Sequence, residues 1–224
     1  MRYSVIAFSM MIFFVACNNH SPKNIIDTNI LPVNSKLISL KLSDSLGIVT
    51  FSIPNRYDTF FNWTNWSDCG KPCATVEYRY QLKSNPIFLE TGFMHKELTD
   101  SVDQFTIEHP ADLHYSDGTF SRGSFARILD RQKRDIDALK TFKYKITFDT
   151  IEKKDNRYFS IIMCERYDSV QSVYTKSASV TTTIKNNGVS FSYTLLTKDN
   201  DSINKTFIEN SKKLIQTIKI KNGI

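Results

Sequence analysis

Alternation of apolar and polar residues dominates the chain from Lys36 onward. This two-residue period is typical of half-buried strands. It recurs in pairs of segments separated by turn residues, which predicts a series of hairpins. The predicted pairs are 36–43 with 48–53, 74–82 with 87–95, 142–148 with 158–165, and the two halves of SVTTTIKNNGVSFSYTLLT. In the last pair Asn187-Gly188 suits a type I′ turn, because both central residues must accept a positive φ angle.

Two segments have a helical period instead. In GSFARILDRQKRDIDALKTF and in DSINKTFIENSKKLIQTIKI the apolar residues recur along one stripe, and the second segment then returns to alternation. The two patterns predict a middle helix and a C-terminal helix that runs into a strand. We therefore expect an α+β fold, an antiparallel sheet flanked by helices. A small lipocalin-like barrel with one packed helix is the alternative.

Composition narrows the class of protein. The chain has 224 residues, 41% of them hydrophobic, with 16 Phe and 10 Tyr, which is enough for a single folded domain with a substantial core. The formal net charge of +6 is mild, and the Lys and Arg residues are scattered among Asp and Glu. Such a surface favours weak attraction to anionic surfaces, whereas nucleic-acid binding needs a concentrated basic stripe. We expect no nucleic acid as a partner.

The first 16 residues have the parts of an export signal. Arg2 supplies a short positive region, and Val5–Val15 forms an apolar run interrupted only by Ser9. A helix that spans a bilayer needs roughly 20 apolar residues, so this run suits a signal peptide better. The segment 17–35 that follows is polar, contains Pro22 and Pro32, and shows no period, which is typical of a flexible tether.

The residues Phe14-Val15-Ala16-Cys17 resemble the lipobox of bacterial lipoproteins, with Phe14 standing where an aliphatic residue is usual. The resemblance implies that residues 1–16 are removed and that Cys17 is acylated and binds the lipid bilayer. Several acyl chains hold a protein on a membrane far more firmly than one. Asn18 follows the cysteine where an Asp would resemble an inner-membrane retention signal, so the outer membrane is favoured. A plain secretory signal and a buried N-terminal element are the alternatives.

Residues 36–224 form the predicted single α+β domain. Within it, GIVTFSIPNRYDTF and the closing FIENSKKLIQTIKI are similar to the start and end of PsbP-like domains. That resemblance implies an antiparallel sheet between helices and a non-catalytic role in binding or assembly. It transfers no functional residues.

Three cysteines remain once Cys17 is assigned to lipid. Cys69 and Cys73 enclose Gly-Lys-Pro, and an exported protein can keep a small loop disulfide there. Cys164 lies in an apolar run and is expected to behave as a small buried hydrophobe. The spacing of Cys69 and Cys73 also resembles that of Sco-type copper chaperones, but the downstream segment reads as a strand where those proteins have a helix. Envelope metal-binding or redox chemistry at this pair is kept as an alternative.

Two further clusters carry candidate chemistry. His109, Asp112 and His114 could act as acid and base in a hydrolase or ligate a metal, but Pro110 excludes a helical metal motif, so a polar surface loop is the simpler interpretation. Tyr57, Trp63 and Trp66 are a candidate ligand surface, since aromatic rings beside Asn and Asp suit a carbohydrate or peptide groove.

No motif for a known catalytic site or cofactor occurs, which leaves catalysis open but favours a non-catalytic role. The sequence therefore assigns no catalytic residue, metal or cofactor. The sequence predicts a lipid-anchored envelope protein whose domain binds an envelope protein or a small ligand.

Overall fold

Two antiparallel sheets and two helices make up the part of the chain that a computed structural model describes. The described residues are 32, 34–43, 45–66, 68–70, 73–85, 101–113, 120–138 and 144–222. In chain order the elements are β1 (Ser35–Leu42), β2 (Gly47–Pro54), β3 (Thr59–Asn65), β4 (Thr75–Gln81), β5 (Val102–Pro110), α1 (Arg122–Ala138), β6 (Lys145–Lys154), β7 (Arg157–Asp168), β8 (Val173–Ile184), β9 (Asn187–Thr197), α2 (Ser202–Ile215) and β10 (Lys219–Asn222).

The predicted α+β class is wrong, because the described chain is mostly β. Seven strands form one sheet in the order β3-β4-β5-β9-β8-β7-β6, and three form a second in the order β1-β2-β10. The strand content exceeds the expectation because neither β3, which lies in the predicted aromatic surface, nor β5, whose last residues fall in the predicted polar loop, is part of a predicted hairpin. The two helices pack against this β framework, and neither is long and apolar enough to cross a membrane within the described residues.

The core fills the space between the two sheets. Val49, Phe51 and Ile53 of β2 are fully buried against aromatic residues of the larger sheet. Phe105 of β5 has its ring centroid 4.8 Å from that of Phe51 and 4.4 Å from that of Tyr193. Tyr193 also donates a hydrogen bond of 2.7 Å to the Ser52 carbonyl, so the two sheets are joined by a polar contact inside an apolar core.

Three of the predicted hairpins can be compared with described strands. The pairings β1–β2, β6–β7 and β8–β9 are confirmed. The predicted partner of β4, residues 87–95, lies outside the described residues, and β4 pairs with β3 and β5 instead. The β8–β9 turn is displaced from the prediction: Lys185 and Asn186 have the positive φ angles, 48° and 65°, while Asn187 pairs with Ile184. A shift of two residues leaves each side chain on its predicted face, because the strand period is two.

Both predicted helices are present, and they lie on opposite faces of the larger sheet. α2 begins after Asp201, whose carboxylate accepts a hydrogen bond of 2.8 Å from the Asn204 amide, and it buries Phe207, Leu214 and Ile215 in the core. Such a capping bond stabilises the first turn of a helix. α1 packs on β6 and β7, and its Gln132 donates a hydrogen bond to Thr181. α2 continues into β10, which pairs with β2 as the alternation predicts.

Candidate functional site

A cavity of about 210 Å³ lies between one side of α2, the start of β1 and the turn that follows β2. The turn forms because β2 ends at Pro54, whose carbonyl accepts a hydrogen bond of 3.1 Å from the Tyr57 amide. The apolar part of the lining includes Tyr57, Tyr193, Phe207 and Leu214, and the polar part includes Asn34, Arg56, Thr206, Asn210 and Ser211.

A cluster of polar side chains, in which Asp103 and Tyr57 are buried, supports one wall of this cavity. Arg56 donates two hydrogen bonds to Asp103, with Nε 2.6 Å from Oδ2 and Nη2 3.0 Å from Oδ1. The Tyr57 hydroxyl donates a third, of 2.6 Å, to Oδ1. Burial alone would lower the pKa of Arg56, but the hydrogen bonds and the negative charge of Asp103 raise it above its ordinary value. The Arg56 guanidinium is therefore held in its charged form beside Asp103.

The lining combines flat apolar surface with polar groups at its edges. Aromatic rings offer flat apolar surface, while hydroxyl and amide groups at the edges can orient a ligand. Among the described residues that line it there is no histidine or cysteine to act as a nucleophile or general base. The cavity is small, so a ligand held inside it would be a small molecule or the tip of a larger one.

Three buried tyrosines are expected to make the fold less stable at high pH. Burial raises the pKa of Tyr57 and of Tyr193 well above the ordinary value of 10.0, with the charge of Asp103 adding to the effect on Tyr57, and burial raises the pKa of Tyr80 to about 12. The folded state favours the neutral phenols. Their contribution to the free energy of unfolding is therefore complete below pH 10 and is lost as the pH rises beyond it.

We therefore expect the free energy of unfolding, measured by urea titration, to fall steadily between about pH 10 and pH 12. Tyr193→Phe cannot ionise and should flatten part of this fall, whereas Tyr167→Phe, at a residue that is 50% exposed, should leave the slope unchanged. An equal slope in all three proteins would contradict the assignment.

The three aromatic residues of the predicted ligand surface do not share one surface. Tyr57 is 1% exposed and belongs to the core. Trp63 is half-buried on the outer face of the larger sheet, where Arg79 lies over its indole ring at 4.7 Å from the centroid. Trp66 follows the end of β3 and is 67% exposed. Of the three, Tyr57 alone lines the cavity beside α2.

Charged residues also lie on the outer face of β4. Glu77 and Arg79 are almost completely buried, and the Arg79 guanidinium is 3.6 Å from the Glu77 carboxylate. The Trp63 indole N–H has no hydrogen-bond partner. Phe61 stacks on Trp63 with ring centroids 5.4 Å apart. These aromatic rings pack a charge pair against the sheet, which is a structural role for Trp63 that the sequence pattern did not indicate.

The structure joins Cys69 and Cys73 by a disulfide with Cα atoms 5.8 Å apart, in an exposed loop before β4. Gly70 has a φ angle of +82°, a conformation that favours glycine, and its carbonyl accepts a hydrogen bond from the Cys73 amide. Cys164 is a buried free thiol, and its burial raises its pKa. Cys17 lies outside the described residues.

Glu108 and His109 lie in strand β5 rather than in the expected surface loop, and His109 is 1% exposed. The His109 ring has Nδ1 2.8 Å from the Pro110 carbonyl, which requires the proton on Nδ1. Nε2 can then accept from the hydroxyls of Ser43 and Tyr78, at 3.2 Å and 3.3 Å. The imidazole is engaged through both nitrogens and joins β4 and β5 to the residue that follows β1.

A second cavity, of about 250 Å³, is lined in part by Cys73, Glu108 and His109. The fold thus brings the cysteine pair close to the histidine segment, although the two are far apart in the sequence. His114 lies outside the described residues, and Asp112 does not line this cavity. No group of three or more His, Cys, Asp or Glu side chains in the described part of the chain is placed to hold a metal ion.

Sequence reasoning missed Asp103 and the α2 residues that line the first cavity. The two-residue alternation of β5 could have identified Asp103. The inward positions of this strand are Asp103, Phe105, Ile107 and His109, so a charged residue occupies a core position. Asn210 and Ser211 carried no signal, because an exposed polar residue and a buried serine on a helix are both ordinary.

Comparisons with known proteins place the fold only coarsely. No family model and no curated protein matches the chain. The fold weakly resembles that of cyanobacterial PsbP (CyanoP) from Synechocystis sp. PCC 6803, with a TM-score of 0.47 and 7% identity over 87% of this chain and 96% of that one. A protein of unknown function from Pseudomonas aeruginosa, PA94, has a TM-score of 0.37 and 11% identity, over 84% of this chain and 99% of that one.

Proposed function

We propose that this protein is a bacterial envelope lipoprotein, anchored by acyl groups on Cys17, whose β domain binds a small ligand or an envelope partner without catalysing a reaction. The anchor follows residues 1–16 as a cleaved signal, and the outer membrane is the favoured location. The ligand site is the cavity beside α2.

The exposed Cys69–Cys73 disulfide is the observation that carries the export part of the proposal. Disulfides persist in oxidising compartments such as the periplasm and are rare in the cytosol. Together with the apolar run that ends at Ala16-Cys17, it supports a chain that leaves the cytosol.

The state of the ionisable side chains supports a non-catalytic role. Asp103 accepts three hydrogen bonds from Arg56 and Tyr57, and both nitrogens of His109 lie within hydrogen-bond distance of protein oxygens. A general acid or base needs reach to a substrate proton. These two groups instead hold their own fold together.

Mass spectrometry of the protein purified with its lipids from a bacterial host tests both halves of the proposal. The denaturing spectrum should show a chain that begins at residue 17 and carries added acyl mass, and Cys17→Ala should abolish both features. Cys164→Ala is the matched control, since it removes a buried thiol without touching the signal. The non-denaturing spectrum should show an additional bound species that Ser211→Phe, which fills the cavity, displaces.

The two spectra test the anchor and the ligand site independently. An unprocessed wild-type chain without acyl mass contradicts the anchor. A wild-type chain and Ser211→Phe with identical non-denaturing spectra contradict the cavity as the binding site.

A further inference from the structure

Three exposed lysines lie close together on the outer face of the three-stranded sheet. Ile48 of β2 pairs with Lys41 of β1 on one side and with Lys221 of β10 on the other. Lys219 lies on the same face two residues before Lys221, opposite Thr50. Directly paired residues have Cβ atoms about 5 Å apart. The lysines are exposed, and Ile48 between them is 40% exposed. We refer to Lys41, Ile48, Lys219 and Lys221 as the basic face.

The turn end of the β6–β7 hairpin, residues 152–157, adds positive charge beside this face. Lys154 donates hydrogen bonds to the carbonyls of Gln216 (2.9 Å) and Ile218 (3.2 Å), immediately before β10. Arg157 donates one of 2.8 Å to the Asn222 side chain at the end of β10. Burial lowers the pKa of Lys154, the negative charge of Asp155 opposes this, and the nearby charge of Lys219 lowers it further. These contacts place the turn end of the hairpin directly beside β10.

The acidic residues of this region do not balance its charge. Residues 152–157 also contain Lys153, so together with the three lysines of the basic face they supply six basic residues and two acidic ones, Glu152 and Asp155. This region has an excess of four positive charges. Strand pairing thus brings together basic residues that are far apart in the sequence.

We propose that the basic face docks on the surface of an anionic phospholipid bilayer. Lysine ammonium groups attract anionic headgroups, each contributing about a fivefold gain in partition near such a surface. An exposed isoleucine flanked by two lysines suits the boundary between headgroups and acyl chains, since apolar side chains strengthen interfacial binding. The flat outer face of a sheet presents all four side chains to one plane. The contact is independent of acylation, and it would hold an already tethered domain in one orientation.

Vesicle sedimentation tests the proposal with the processed chain, residues 17–224, carrying Cys17→Ser so that no acyl chain contributes. We expect binding to vesicles of phosphatidylcholine mixed with phosphatidylglycerol, weakening as salt is added, and little binding to phosphatidylcholine alone. The triple variant Lys41→Gln, Lys219→Gln, Lys221→Gln should bind about 100-fold more weakly. Ile48→Ser should weaken binding as well.

The matched control removes the same charge elsewhere. Lys83, Lys198 and Lys205 are exposed and lie outside the basic face and the β6–β7 hairpin, and their triple Gln variant should retain most of the binding. Equal losses in the two triple variants would show an effect of net charge alone and would overturn the proposal. Equal binding to both vesicle types would also overturn the proposal. If the protein bound heparin as tightly as anionic vesicles and Ile48→Ser had no effect, the basic face would be assigned to a soluble polyanion instead, which also overturns the proposal.

Discussion

Phe105→Ala is expected to lower the free energy of unfolding by about 3 to 5 kcal/mol, the usual range for deleting a buried aromatic ring. Phe105 is completely buried at the meeting point of the two sheets. Its ring contacts those of Phe51, Tyr80 and Tyr193, with centroids 4.8, 6.4 and 4.4 Å away. The loss combines the transfer free energy of the ring with the cavity left behind, and the midpoint of urea unfolding measures it.

Phe60→Ala is the matched control for this deletion. Phe60 is 45% exposed, although it also contacts Tyr80 with ring centroids 4.6 Å apart. Because much of its surface is already in water, the same deletion should cost less than about half as much. Equal effects of the two substitutions would show that the sheets do not enclose Phe105 as described.

Asp103→Ala is the second large effect that we expect, a loss of about 2 to 4 kcal/mol. The carboxylate is buried, and its removal leaves Arg56 without its partner and the Tyr57 hydroxyl without its acceptor. The range lies below that for a fully buried ion pair because the Arg56 side chain is 31% exposed and can be hydrated. Urea unfolding at neutral pH again gives the value.

Two comparisons separate the buried pair from ordinary surface charge. Asp103→Asn keeps the shape and can still accept a hydrogen bond, so it should recover part of the loss. Glu209→Gln breaks the exposed ion pair with Lys213 on α2 and should leave the unfolding midpoint where it is. If Asp103→Ala proved as mild as Glu209→Gln, the cluster beside the cavity would not be a stabilising feature.

The elements that the sequence predicted well are those whose pattern agrees with their surroundings. In β9 the inward residues Val189, Phe191, Tyr193 and Leu195 are all buried, as the alternation indicates. In α2 the stripe that contains Phe207 and Leu214 faces the core. Local period and tertiary environment favour the same structure in these segments, so the pattern alone was sufficient.

The missed strands, β3 and β5, are those whose polar pattern conflicts with their surroundings. β5 has Asp103 and His109 on its inward side, and β3 pairs with β4 beside the buried Glu77 and Arg79. A charge at a buried position is stable only with a partner, and the partner of Asp103 is Arg56, 47 positions away. A pattern based on hydrophobicity interprets such residues as solvated, so the sequence predicts a polar surface loop at His109.

The sequence by itself determined the local period of most strands, the two helices and the residues that face the core, because these depend on neighbours a few positions apart. It also placed the candidate anchor at Cys17, which stays a prediction. Only the tertiary structure decided that two sheets enclose the core, that Arg56 and Asp103 meet beside a cavity, and that Lys41, Lys219 and Lys221 share one face. Each of these depends on strand pairing across long stretches of chain, and pairing partners are selected by the packing and hydrogen bonding of the whole fold.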